Sequence, residues 1–284
     1  MVIPACCIIL GCVLAGMLLS MFYFRFCAIS HPPIGVINLW DVAFLLAAVV
    51  VVPYVYLGLP LWLVTALLAL GMSCLLYVLL EPILHRTLLA VGITVLIVAA
   101  DLFAAWRYGT AGMPFFVVNN AVLIAVAVGF SNLWAQGGMP ARALAILAGA
   151  LAVYDFIFTE RLSLMGDLFS GLAAAPFAPI LAWPTGGGQW VGLGLGDLII
   201  ITLAPLVLRK AYGRSAGVAA IAIHFLAVAL LLLLLVAGVR ASFAVMVLLG
   251  PLVVLQYFYW NRRRGVERTT RQYLQAEPLR QKAS

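Results

Sequence analysis

The chain has 284 residues, 66% hydrophobic and 9% charged, with formal net charge +7 and mean hydropathy +1.19. A soluble domain carries about 25% charged residues, so this composition excludes a water-soluble protein and points to a polytopic membrane protein. The positive residues lie between apolar stretches or at the C-terminal end, which fits lipid headgroups and topology signals and gives no nucleic-acid footprint.

A helix crosses the bilayer core with about 20 mostly apolar residues. Such runs fall near 3–24, 39–58, 60–80, 87–106, 114–134, 141–160, 190–208, 215–237 and 241–260. They predict an all-α polytopic membrane protein with nine transmembrane helices. The first run lacks a Lys/Arg-rich leader and reads as a retained span. Cys6, Cys7, Cys12 and Cys27 lie in or beside it, and Cys74 lies in the third. Without metal-site spacing they read as small apolar residues, acylation of Cys6 or Cys7 being the lesser alternative. His31, Pro32 and Pro33 break the chain before the second run, and Gly58, Leu59 and Pro60 form the corner before the third. Asp41 and Glu81 sit at span ends, within reach of water. Asp101 reads as structural, with Arg107 or a neighbouring span as partner. Asn119, Asn120 and His224 read as interhelical hydrogen-bonding groups. The tryptophans gather near span ends as an interfacial belt.

The sixth and seventh runs each carry an aspartate. Asp155 follows Tyr154, and Asp197 follows Gly194, Leu195 and Gly196. A carboxylate at membrane depth costs about 2.5–3.5 kcal/mol on insertion scales, which makes it a functional candidate. The connection 161–189 is the longest; it begins near Glu160, Arg161 and Asp167 and ends at Gly186 to Gly188, a hinge. Too short and too Pro-broken for another span, it reads as a re-entrant or surface-lying segment. Gly192, Gly194 and Gly196 alternate, which suits a helix poorly and leaves main chain bare for a substrate strand. Close helix packing is the simpler alternative.

Nine spans put the termini on opposite sides. With the basic tail in the cytoplasm, thirteen of the sixteen Lys and Arg fall inside, and only Arg107, Arg161 and Arg240 fall outside. The expected organisation is a nine-span domain over 1–260, N-terminus out, with 161–189 as an outer loop and 261–284 as a basic cytoplasmic tail. Asp155 lies five residues before Glu160 and Asp197 seven after Trp190. At a helical rise of about 1.5 Å per residue, both fall roughly 7–11 Å below the outer boundary. Two carboxylates at one depth can share a proton: one draws a proton from water and the other donates to a peptide carbonyl. This chemistry needs no metal and no cofactor.

At these residues the chain resembles the presenilin and signal peptide peptidase family of GxGD intramembrane aspartyl proteases. Tyr154-Asp155 is similar to the family's sixth-span motif, and Gly194-Leu195-Gly196-Asp197 to its seventh-span motif. The family's ninth-span Pro-Ala-Leu is replaced by Gly250-Pro251-Leu252, so Pro251 and Leu252 are carried over without the alanine. Ala204-Pro205-Leu206 lies on the wrong span. The resemblance implies catalytic Asp155 and Asp197, substrate contacts from Tyr154, Gly194, Leu195, Gly196, Pro251 and Leu252, and an orientation like that of signal peptide peptidases. The implied substrates are transmembrane segments such as signal-peptide remnants or type II membrane proteins, met in the bilayer (the cell membrane, in a prokaryote). The competing expectation is a proton- or ion-coupled transporter using Asp101, Asp155 and Asp197 as a relay. It fits less well, because only one span carries a glycine interruption.

Overall fold

The structure, a computed structural model, describes residues 2–29, 37–161, 166, 168, 171–173, 175–186, 188–239, 243–269 and 271–273. His31, Pro32, Pro33, Asp167, Gly187, Arg240, Arg280 and Lys282 lie outside this set, as do the side chains of Glu160 and Arg161. The described chain is mostly helical: α1 (Val2–Phe26), α2 (Leu39–Gly58), α3 (Leu61–Leu84), α4 (Thr87–Tyr108), α5 (Met113–Gln136), α6 (Ala141–Asp155), α7 (Leu195–Tyr212), α8 (Arg214–Val236) and α9 (Val245–Arg264). A π-helical turn, Phe156–Arg161, continues α6, and two strands, β1 (Ile180–Gly186) and β2 (Gln189–Gly194), precede α7.

Among the described residues, seven helices are long and apolar enough to cross a membrane: α1 to α5, α6 continued to Thr159, and α8. The protein is therefore a helical, multi-pass integral membrane protein. α7 and α9 do not reach that apolarity, because α7 carries Asp197, Arg209 and Lys210 and α9 ends in Arg262, Arg263 and Arg264. In lipid every main-chain polar group must bond internally, which favours the long helices. Their ends follow local chemistry. Asn38 and Asp41 form a capping box at α2, where Asn38 Oδ1 accepts from Trp40 N at 2.7 Å and Asp41 Oδ2 from Asn38 N at 2.7 Å. Pro60 and Pro140 stand at the N-caps of α3 and α6.

α7 is the central helix. It packs against α1, α5, α6, α8 and α9, and most of its residues from Leu198 to Tyr212 are buried. Thr202 and Ser131 hydroxyls, 2.7 Å apart, tie it to α5. At its far end Lys210, 1% exposed, donates from Nζ to the carbonyls of Ala135 (3.1 Å) and Met139 (2.7 Å). That Lys is thus a buried helix-end cap and not a headgroup contact. α2 is the opposite case: only Val42 and Pro53 are buried.

Two departures from the sequence expectation stand out. The seventh helix starts at Leu195, not near 190, because 189–194 pairs with 180–186 as an antiparallel hairpin. Gly186 and Gly188, both at positive φ, flank its turn. The start of the tail, 265–269 and 271–273, is also folded against the bundle. Glu267 Oε1 accepts from Ala141 N at 2.6 Å, capping α6; Arg268 N donates to Ala211 O at 3.2 Å, and Tyr273 lies 5.4 Å from the ring of Phe24.

Candidate active site

Asp155 is the last residue of α6 before the π-helical turn, a widened geometry often found at functional sites. The extra width brings Thr159 back over the carboxylate, and its Oγ1 donates to Asp155 Oδ1 at 2.5 Å. Oδ2 accepts from Met246 N at 3.0 Å. Met246 sits in the first turn of α9, where N–H groups have no partner within the helix and the dipole favours negative charge. One carboxylate thus joins the sixth helix to the ninth. Below it α6 and α9 approach closely: a Cβ on Gly250 would lie 2.5 Å from Ala148 O and 2.6 Å from Ala152 Cβ.

Asp197 lies in the first turn of α7, immediately after β2. The N–H of Gly194 acts on its carboxylate, and so does the charge of Asp155. Both aspartates line one cavity of about 470 Å³, together with Tyr154, Thr159, Gly194, Leu195 and Gly196. Val49, Val52 and Pro53 of the thinly packed α2 form the opposite wall. Tyr154 stacks on Phe158 with ring centroids 4.5 Å apart, and its hydroxyl has no hydrogen-bond partner among the described residues. No atom lies within 4 Å of where a Cβ on Gly196 would be, so the space beside Asp197 is open.

The hairpin leads directly into this cavity. In an antiparallel ladder the N–H and C=O of one residue point to one side, and successive residues alternate. Ala182 turns both groups towards Asn120 on α5 (N to Oδ1 3.0 Å, Nδ2 to O 2.8 Å). Leu181 and Trp183 therefore face β2, and their partners Leu193 and Val191 face back. The main-chain groups of Trp190, Gly192 and Gly194 are left for the outer edge of β2, which pairs with no further strand among the described residues. The alternating glycines are thus strand residues beside the site. At Gly192 a Cβ would meet the Trp190 ring at 2.8 Å and Ile180 Cγ2 at 2.9 Å.

Of the residues expected from sequence, Tyr154, Asp155, Gly194, Leu195, Gly196 and Asp197 come together in this cavity. Pro251 and Leu252 do not line it; Pro251 is exposed on α9, beyond Gly250. The ninth helix reaches the site one turn earlier, through Val245 and the main chain of Met246. Ala204, Pro205 and Leu206 are buried within α7. The equal-depth estimate also changes, because a strand rises about 3.3 Å per residue and not 1.5 Å. Asp155 and Asp197 line one cavity because Asp155 closes the α-helical part of its span, at the π-helical turn, and Asp197 opens α7 just after β2.

Asp101 is buried away from the cavity and accepts at Oδ2 from Phe177 N at 3.0 Å. Its partner is this loop amide, where Arg107 or a neighbouring span was expected. Asn119 and Asn120 bond β1 main chain where another helix was expected, and His224, fully buried, bonds no neighbouring helix among the described residues. Thr159 was legible in principle, four residues after Asp155 on the same helix; the Met246 amide left no mark in the sequence. No family model matches the chain, and no curated protein matches it.

Proposed function

We propose that the chain is an intramembrane aspartyl endopeptidase, similar to presenilins and signal peptide peptidases, that hydrolyses peptide bonds within transmembrane segments. The observation that carries this proposal is that Asp155 and Asp197 line one cavity, Asp155 held by Thr159 and the Met246 amide and Asp197 near enough to feel its charge. In this scheme α7 and α9 cross the bilayer with the other seven helices, and the N-terminus is outside. Tyr23 OH bonds Leu79 O, Gln136 Nε2 donates to Cys27 O at 3.0 Å, and Lys210 reaches Ala135 and Met139, so α1, α3, α5 and α7 end on the same side. Arg25, Arg142, Arg209 and Arg262 to Arg264 gather there, as a cytoplasmic face requires.

The substrate helix enters past α2, the wall with least packing, and unwinds as it reaches the hairpin. Its main chain pairs with the outer edge of β2 at Trp190 and Gly192, a strand addition that exposes one peptide bond to the aspartates. Water lies between the two carboxylates, which hold one proton between them. The ionised carboxylate takes a proton from the water as oxygen attacks the carbonyl carbon, and the protonated one donates to the carbonyl oxygen. Collapse of the tetrahedral intermediate breaks the C–N bond, with a proton passing to the leaving nitrogen.

A proton relay is less well supported, because Asp101 is committed to Phe177 N and lies apart from the other two aspartates. The test is purified protein in bilayers with a model transmembrane peptide. Cleavage inside the apolar segment is expected, and each of Asp155→Asn and Asp197→Ala abolishes it; cleavage surviving either substitution refutes the dyad.

A further inference from the structure

β1 has two edges. One pairs with β2; the other lies under α5, with Ile180, Leu181 and Ala182 all buried. Main-chain groups on a covered edge cannot reach water and need protein partners. Two asparagines, 1% and 4% exposed, supply them. Asn119 Nδ2 donates to Ala178 O (3.0 Å) and Ile180 O (3.4 Å), and Asn120 makes the paired bonds to Ala182. A side-chain amide carries the same donor and acceptor as a peptide, so Asn120 on Ala182 replaces one rung of a neighbouring strand.

Only one register satisfies that rung. Slipping by one residue presents Leu181 or Trp183, whose main-chain groups face β2. Slipping by two presents Pro184, which has no N–H, or Ile180, whose N–H is already given to Ala178 O at 2.7 Å. Among Ile180 to Pro184, Ala182 is the residue that can complete the pair. Upstream, Asp101 holds the amide of Phe177, a bulky residue in the left-handed region at φ +59°. Downstream, Leu195 N bonds Pro179 O at 2.9 Å, so the start of α7 is tied to the same hairpin.

We propose that Asn120 is a positioning residue: it locks the hairpin in one register against α5, and so decides which peptide bond of a strand lying on β2 reaches Asp155 and Asp197. The lock stands on geometry alone; its effect on cleavage rests on the protease function proposed above.

The experiment uses the full chain in bilayer nanodiscs, with Asn120→Leu, which is close in size and suits apolar surroundings. Residue-resolved hydrogen exchange is expected to accelerate at the Ala182 amide by about tenfold, the order of one net hydrogen bond. The Leu181 and Trp183 amides, which face β2, keep their protection. With a model transmembrane peptide, mapped products spread from the wild-type site to sites two residues away, the strand period. KM rises while kcat at the original site holds. Ala182→Pro removes the same bond from the strand side, without disturbing the ladder to β2, and reproduces the product shift if Asn120→Leu fails to fold. Unchanged Ala182 exchange in Asn120→Leu overturns the lock. Lost protection with unchanged products and KM overturns the positioning role. A wild-type protein that cleaves nothing refutes the protease function, and the exchange measurement still decides the lock.

Discussion

Gly250→Ala tests how the ninth helix serves the site. The added Cβ would stand 2.5 Å from Ala148 O and 2.6 Å from Ala152 Cβ, whereas carbon contacts settle at about 3.5–4.0 Å. Relief requires α6 and α9 to part by roughly 1 Å, and overpacking of this kind costs about 1–3 kcal/mol. Met246 lies one turn before Gly250, and Asp155 lies just beyond Ala152. The same movement therefore stretches the 3.0 Å bond from Met246 N to Asp155 Oδ2 to roughly 4 Å, past hydrogen-bonding range. A misplacement of about 1 Å can cost on the order of 100-fold in rate. kcat for a fluorogenic transmembrane peptide in proteoliposomes is expected to fall about 10- to 100-fold, with KM little changed and a lower thermal midpoint. Pro251→Ala, on an exposed face of α9, should leave activity near wild type; its stability change reports the helix backbone, where an interior Pro costs about 3 kcal/mol relative to Ala. Wild-type kcat in Gly250→Ala, or a collapse confined to Pro251→Ala, would refute the structural assignment of the ninth helix.

Thr159→Val removes the 2.5 Å bond to Asp155 while keeping side-chain shape; a bond to a charged group is worth about 1.5–3 kcal/mol. kcat should drop about tenfold or more, and Thr159→Ser should restore it; equal rates in Val and Ser variants would remove Thr159 from the mechanism. Glu267→Ala deprives Ala141 N of its acceptor at the start of α6 and should cost about 0.5–2 kcal/mol, as lost N-caps do. It is read as a lower thermal midpoint with kcat/KM retained below it, and an unchanged midpoint refutes the capping role. Lys210→Met leaves the buried Met139 carbonyl without its donor, while Ala135 O keeps the Gly138 amide; the loss is about 1–3 kcal/mol, and full wild-type stability would show that the ammonium contributes nothing there.

The membrane class was legible because length and apolarity are local properties. The aspartates were legible because a carboxylate in an apolar run is costly wherever the run folds. Charge also hid structure: Asp197 and three arginines make α7 and α9 less apolar than the helices they pack against. The hairpin was half visible. Alternating glycines marked β2 as a poor helix, but β1 carries no comparable signal and owes its place to Asn119 and Asn120. Pro251 drew attention by motif, while its neighbour Gly250 governs the helix contact.

Sequence alone determined that this chain is a multi-pass helical membrane protein, and it singled out Asp155 and Asp197 as carboxylates within apolar runs. Those follow from composition and from neighbours along the chain. Tertiary structure decided what surrounds each charge: Thr159 and the Met246 amide hold one, and the Gly194 amide acts on the other. It also decided that the tail caps α6 and that one asparagine sets the hairpin register. Two of these contacts, at Met246 and Gly194, use main-chain donors that every residue but proline possesses, so only the fold singles them out.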